Sequence, residues 1–348
     1  MNLKRIQDAD VKNKRVLVRA DFNVELKNGD VMEKFKIAAV KETIEFLLQQ
    51  ENVKVALISH MGRPSGPDPK SSLSQITDDL ERILGIKIKF AEDCIGEKVG
   101  QGLADLLGKE ALLLENVRFY AGDETNDPGL SKKLAENFDI FVNDAFSVCH
   151  RDQSSVTGIA KLLPSYAGLW LQKEVANLTM AMENPKRPSL AIIGGAKIET
   201  KLPLIESFQK TYDAILIGGM VANEAIDKNL KFRADVILPS DFAKNRLDIG
   251  PNTIKKFKEV ISHAQTIIWN GPMGKFEEPP YDTGTKEVLN AIIQGGAYSI
   301  MGGGESVQIL EENNAIDKIS FVSTGGGAML EFLSGNKLPG IEALLRRD

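Results

Sequence analysis

The chain has 348 residues, 43% hydrophobic and 26% charged, with a formal net charge of −5. Against about 150 residues per domain this length predicts two hydrophobic cores, and the mild negative charge gives no global pull toward nucleic acid or an anionic membrane. No run approaches the ~20 apolar residues of a membrane span, the N-terminus MNLKRIQDAD lacks a signal-peptide core, and Cys94 and Cys149 show neither CxxC nor zinc spacing, so a cytoplasmic protein without membrane or nucleic-acid partners is expected.

In the first half, the short apolar runs KRVLVRA, VKVALIS, IKIKFAE, ALLLENV and DIFVNDA alternate with longer helical patterns. The second half repeats the alternation with SLAIIGG, DAILIGG, DVILP, TIIWNG, AYSIMGG and ISFVSTGG. This is the pattern of βαβ units and predicts two α/β, doubly wound, Rossmann-like parallel sheets. Between the halves, LWLQKEVANLTMAMEN reads as a bridging helix ended by Pro185 and Pro188. The expected organisation is an N-terminal domain over 1–168, the bridging helix over 169–185, a second domain over 186–335 and a C-terminal segment over 336–348.

The two halves finish their strands in different chemistry. First-half strands run into Arg19, Asp21 and Asn23, into His60 and Arg63, into Asn116 and Arg118, into Asn143 and Asp144, and then into His150 and Arg151. The carboxyl edge of an open α/β sheet is where ligands bind. Guanidinium groups grip phosphate oxygens bidentately and keep their charge, so Arg63, Arg118, Arg151 and His60 at one such edge suit a small phosphorylated anion. Second-half strands run into glycine: Gly194 and Gly195, Gly218 and Gly219, Gly271 with Gly274, Gly302 to Gly304, and Gly325 to Gly327. Bare backbone lets N–H groups approach phosphates, and a following helix adds its dipole. Lys197 and Lys201 near one helix start and Thr324 before another fit a nucleotide. Neither a GxxxxGK[ST] loop nor a dinucleotide fingerprint is present, which argues against a nicotinamide-dependent dehydrogenase.

These motifs carry a resemblance. VRADFNV, SHMGRP, LLLENVRF, FVNDAF with His150-Arg151, AIIGGAK with Lys201, LDIGP, WNGPMGKFEE, GGGES, STGGGA and LPGIEAL resemble the phosphoglycerate kinase family, in that family's order and over nearly the whole chain. The resemblance implies two similar domains facing across a cleft, with the last residues returning to the first. It also implies phosphoryl transfer from 1,3-bisphosphoglycerate to ADP, with Mg²⁺ as cofactor and a monomeric chain as the expected state. Asp21 and Asn23 match the residues that hold the glycerate, and His60, Arg63, Arg118 and Arg151 those around the 3-phosphate. Lys36 and Lys197 match positions at the transferring group, together with Gly303 and Gly326. Gly195, Lys201, Gly219, Pro272, Gly302, Gly304, Ser306 and Thr324 match the nucleotide side, Glu277 the acid at the ribose, and Glu305 the metal ligand.

Three departures from the family stand out. Lys36 occupies a position where the family carries arginine; lysine keeps the charge but loses the planar fork, and slower transfer is expected. Glu305 replaces an aspartate and is one methylene longer, at a cation that tolerates displacement poorly. Between IGGMVANEAI and LDIGP only DKNLKFRADVILPSDFAKNR remains of a longer family segment beside the adenine. Base contacts there are expected to be few. A weakened relative that only binds 3-phosphoglycerate and nucleotide is the competing expectation.

Overall fold

The computed structural model describes residues 1–346; the final two residues of the expected C-terminal return lie outside the described residues. The chain divides into two compact units, one of Met1–Val175 joined by the residues from Lys337 on, the other Ala176–Asn336. Among the described residues no helix is long and apolar enough to cross a membrane.

The first unit holds eight strands: β1 (Arg15–Arg19), β2 (Leu26–Lys27), β3 (Asp30–Val31), β4 (Lys54–Ile58), β5 (Lys87–Ala91), β6 (Glu110–Leu114), β7 (Ile140–Asn143) and β8 (Ser165–Ala167). Six of them form one sheet in the order β5-β6-β4-β1-β7-β8, parallel throughout, while β2 and β3 make a small antiparallel hairpin. The near-continuous apolar runs exist because this sheet is covered on both faces. Alternate residues serve opposite cores: Val16, Val18, Val55, Leu57 and Val142 enter one cluster, and Leu17, Ala56, Ile58 and Phe141 the other. The C-terminal segment joins this unit through a bridge between Leu3 and Leu345 and a 2.8 Å bond from the Gly340 amide to the Cys149 carbonyl.

In the second unit, β9 (Ser189–Ile193), β10 (Ala214–Ile217), β11 (Val236–Ile237), β12 (Thr266–Asn270), β13 (Tyr298–Gly302) and β14 (Phe321–Ser323) form a second parallel sheet in the order β11-β10-β9-β12-β13-β14. The helix Leu169–Glu183 precedes it. Two parallel sheets with flanking helices agree with the fold class read from the sequence. Strand β8, the β2–β3 hairpin and the shortness of β11 do not show in the apolar runs.

Candidate active site

Four adjacent strands of the first sheet, β6, β4, β1 and β7, deliver the polar residues read from the sequence, at or beyond each strand's carboxyl end. Ser59 joins two of these ends: its Oγ accepts from the Phe22 amide at 2.8 Å and donates to the Ala20 carbonyl at 2.9 Å. Asp21 accepts from the Asn23 amide at 3.1 Å and from the Ser147 hydroxyl at 2.6 Å, which ties the β1 loop to the β7 loop. Asn23 in turn accepts from the Gly62 amide at 2.9 Å, and its carbonyl accepts from Lys36 Nζ at 3.3 Å. Lys36, in the helix Lys34–Ala39, also lies 2.6 Å from Glu33. The hairpin β2–β3 fills the chain between Asn23 and that helix.

The arginines are held differently. Asn116 caps a short turn by accepting from the Arg118 amide at 3.1 Å, and its Nδ2 donates to the Met61 and Ser71 carbonyls, each at 2.7 Å. Arg118 is buried, donates to the Gly62 carbonyl, and keeps its Nη2 buried without a partner. Burial lowers it to about 10, and Arg151 adds to the effect. Arg118 and Arg151 share a single exposed carboxylate oxygen of Glu124, at 3.6 and 3.9 Å. Two cations on one weak acid leave a net positive surface, which suits an anion. His60 is buried, and Arg19 Nη2 lies 3.0 Å from its Nδ1. Burial, reinforced by Arg19, Arg118, Arg151 and Lys36, pushes His60 well below the ordinary histidine range, so the ring is neutral near pH 7. Asp21, Asn23, Lys36, His60, Arg118 and Arg151 thus form one linked group. Arg63 is exposed and has no bonded partner among the described residues.

The second unit offers backbone instead. Gly219 has φ +61, and a Cβ there would stand 2.8 Å from the Gly195 nitrogen and the Pro272 oxygen, so the loops after β10, β9 and β12 touch through bare backbone. The Gly195 amide donates to Pro272 and the Gly219 amide to Met273, both at 2.8 Å. These loops open a cavity of about 460 Å³, bordered by Gly195, Gly219, Pro272, Glu277 and Glu305, all expected on the nucleotide side. Lys201 is buried below them, and burial brings it down to about 8 against the opposing pull of Glu305. Its ammonium bonds Asn270, whose Nδ2 donates to the Gly302 carbonyl at 2.6 Å, and Ser306 accepts from the Gly271 amide at 3.1 Å. Lys197 stands at the start of the helix Ile198–Thr211, Gly303 at that of Gly304–Glu312, and Gly326 at that of Gly327–Leu333. Lys197, Lys201, Ser306 and Thr324 do not border the cavity.

Several supporting residues lay outside the sequence expectation. Arg246 borders the cavity and is fastened to the helix Gly219–Asp227: it donates to the Asn223 side chain and carbonyl at 3.1 and 3.0 Å and to Asp227 at 2.7 Å. Nothing in the local sequence marks it. Glu124 and Asn270 were missed for the same reason, since each gains its meaning from a residue distant in the chain.

The sequence profile of the phosphoglycerate kinase family matches residues 6–236 and 228–336. The chain belongs to the phosphoglycerate kinase family. It is 39% identical to the phosphoglycerate kinase of Maricaulis maris over 394 residues, covering 99% of this chain and 98% of that one, and 38% identical to that of Borreliella burgdorferi over 392 residues, with 99% and 100% coverage. The phosphoglycerate kinase structure from Pyrococcus horikoshii superposes with a TM-score of 0.88 at 31% identity and 98% coverage of both chains. Both alignments are longer than the chain, so these family members carry stretches it lacks. The profile breaks and resumes around 228–236, within the segment between IGGMVANEAI and LDIGP.

Proposed function

We propose that the chain catalyses reversible phosphoryl transfer from 1,3-bisphosphoglycerate to ADP, giving 3-phosphoglycerate and ATP. The observation that carries this reading is the linked group of Asp21, Asn23, His60, Arg118 and Arg151 at four adjacent strand ends, with Lys36 bonded to the Asn23 carbonyl from the helix Lys34–Ala39. It is a preformed anion site in which Arg118 and Arg151 share one exposed carboxylate oxygen of Glu124 and Arg118 Nη2 is left without a partner. His60, Arg63, Arg118 and Arg151 take the 3-phosphate, Asp21 and Asn23 the glycerate, and Lys36 the group in transit. On the nucleotide side, Gly195, Gly219 and Pro272 wall the site, Lys197 and Lys201 meet phosphates, and Glu277 meets the ribose. The amides of Gly302 to Gly304, Gly326 and the Thr324 turn lie at helix starts, where backbone donors favour anions.

Phosphoryl transfer leaves the protein little covalent work, so positioning and charge neutralisation suffice and no general base is needed. Glu305 fits the role of Mg²⁺ ligand: burial and the neighbouring Glu277 raise its carboxyl, so a cation there relieves its charge. Mg²⁺ commonly takes one or two carboxylates and completes its shell with phosphate oxygens and water. When bound it would neutralise the charge shared by the phosphates. The free, buried Cys94 and Cys149 suit a reducing cytoplasm.

Calorimetric titration of 3-phosphoglycerate and ADP into the parent and Arg63→Ala chains tests the assignment. Loss of a charge-assisted bidentate contact should weaken 3-phosphoglycerate by about 1.5–3 kcal/mol and leave ADP unchanged. An equal loss for both ligands would contradict it.

A further inference from the structure

We propose that Arg19 is a positioning residue that never touches substrate: it locks the imidazole of His60 in the tautomer that presents Nε2–H to the phosphoglycerate. The role rests on the reading that His60 faces that anion.

A guanidinium carries five N–H donors and no acceptor. Arg19 Nη2 lies 3.0 Å from His60 Nδ1, so Nδ1 must be the acceptor and carry no proton. A neutral imidazole with a bare Nδ1 is protonated at Nε2. Nε2 has no partner among the described residues, which leaves its N–H available to a ligand oxygen.

Arg19 is not available to do that work itself. It is wholly buried at the last position of β1, and its other terminal nitrogen is occupied by the Ala20 carbonyl at 2.6 Å and Ser59 Oγ at 3.5 Å. Its Nε is buried without a partner. No carboxylate stands within ion-pair distance of it among the described residues; Asp123 and Asp21 influence it only at longer range. Removing a guanidinium from water without a paired carboxylate is costly, so a purely structural arginine here is poorly explained. A cation beneath an anion site is well explained. It holds the ring, and with Arg118, Arg151 and Lys36 it opposes a second proton on His60.

Nitrogen-15 correlation spectra of the histidine ring decide the matter. In the parent chain His60 should show a bare Nδ1 and a protonated Nε2, and should not titrate at the ordinary histidine value. Arg19→Gln should restore titration toward the ordinary range and raise the KM for 3-phosphoglycerate about tenfold or more, with the nucleotide KM unchanged. Arg19→Lys, also a pure donor, should preserve the parent spectrum. A parent His60 protonated on Nδ1, or titrating normally, would overturn the proposal without any variant having to fold. A parent ring with the expected pattern in a chain that fails to bind 3-phosphoglycerate would overturn the ligand reading, and the role with it, leaving only the bond between the two side chains.

Discussion

Lys36 and Glu33 form an ion pair one helical turn apart, Nζ to Oε1 at 2.6 Å, with side chains only 12% and 18% exposed. The same ammonium reaches the Asn23 carbonyl at 3.3 Å. Lysine at a position where the family carries arginine is therefore fixed in place rather than left as a loose point charge.

Lys36→Ala removes the cation proposed to face the transferring group, and turnover should fall at least about 100-fold, as loss of one donor to developing charge does. Lys36→Arg keeps the charge and should stay within about tenfold of the parent, a difference of about 1.4 kcal/mol. Steady-state turnover with both substrates saturating checks both; a Lys36→Ala chain within a few-fold of the parent would remove Lys36 from the mechanism.

Lys201 gives a signed pH dependence. Its folded pKa of about 8 lies below the unfolded value of about 10.4, so the unfolded chain binds more protons between the two. Stability should therefore rise as pH climbs from about 8 to about 10. Nucleotide affinity should move the other way, falling above about pH 8 as the ammonium discharges. Calorimetry of ADP binding at pH 7 and 9 reads this, and Lys201→Met should flatten the profile.

The shortened segment leads to a third expectation. The turn around Arg246 is riveted to the helix Gly219–Asp227 and closes one wall of the cavity with Leu247 and Met220. That wall is mostly shape and apolar surface, so ADP and GDP should bind within about tenfold of each other, about 1.4 kcal/mol. Competition binding measures the ratio directly, and a hundredfold preference would show that base edges are read elsewhere.

Gly219 tests the backbone contact between loops. With φ +61 and neighbours 2.8 Å from any Cβ, Gly219→Ala should destabilise the second unit by about 1–3 kcal/mol. Urea denaturation would record it, together with weakened nucleotide binding.

Much of this was legible in the sequence for physical reasons. Strands such as Lys54–Ile58 and Ile140–Asn143 are buried on both faces and so announce themselves as apolar runs. Polar residues that follow such runs fall at one sheet edge, which made His60 and Arg118 readable as site candidates. Strand β8 escaped because three residues, one of them a half-buried tyrosine, carry no period. Arg19 was visible at its strand end, but its function is set by His60, 41 positions away, and only the fold puts the two nitrogens 3.0 Å apart. Glu124 and Arg246 were hidden in the same way: each is an ordinary charge in its local sequence and acquires a role only through a distant partner.

The central claim is the transfer itself, and a coupled assay for ATP formation from ADP, Mg²⁺ and 1,3-bisphosphoglycerate measures it most directly. The purified chain should form ATP and 3-phosphoglycerate in equal amounts, with kcat in the range of about 1–1000 s⁻¹ usual for enzymes, and Lys36→Ala should suppress both products together. Binding of both substrates with no ATP formed above the enzyme-free rate would contradict the account.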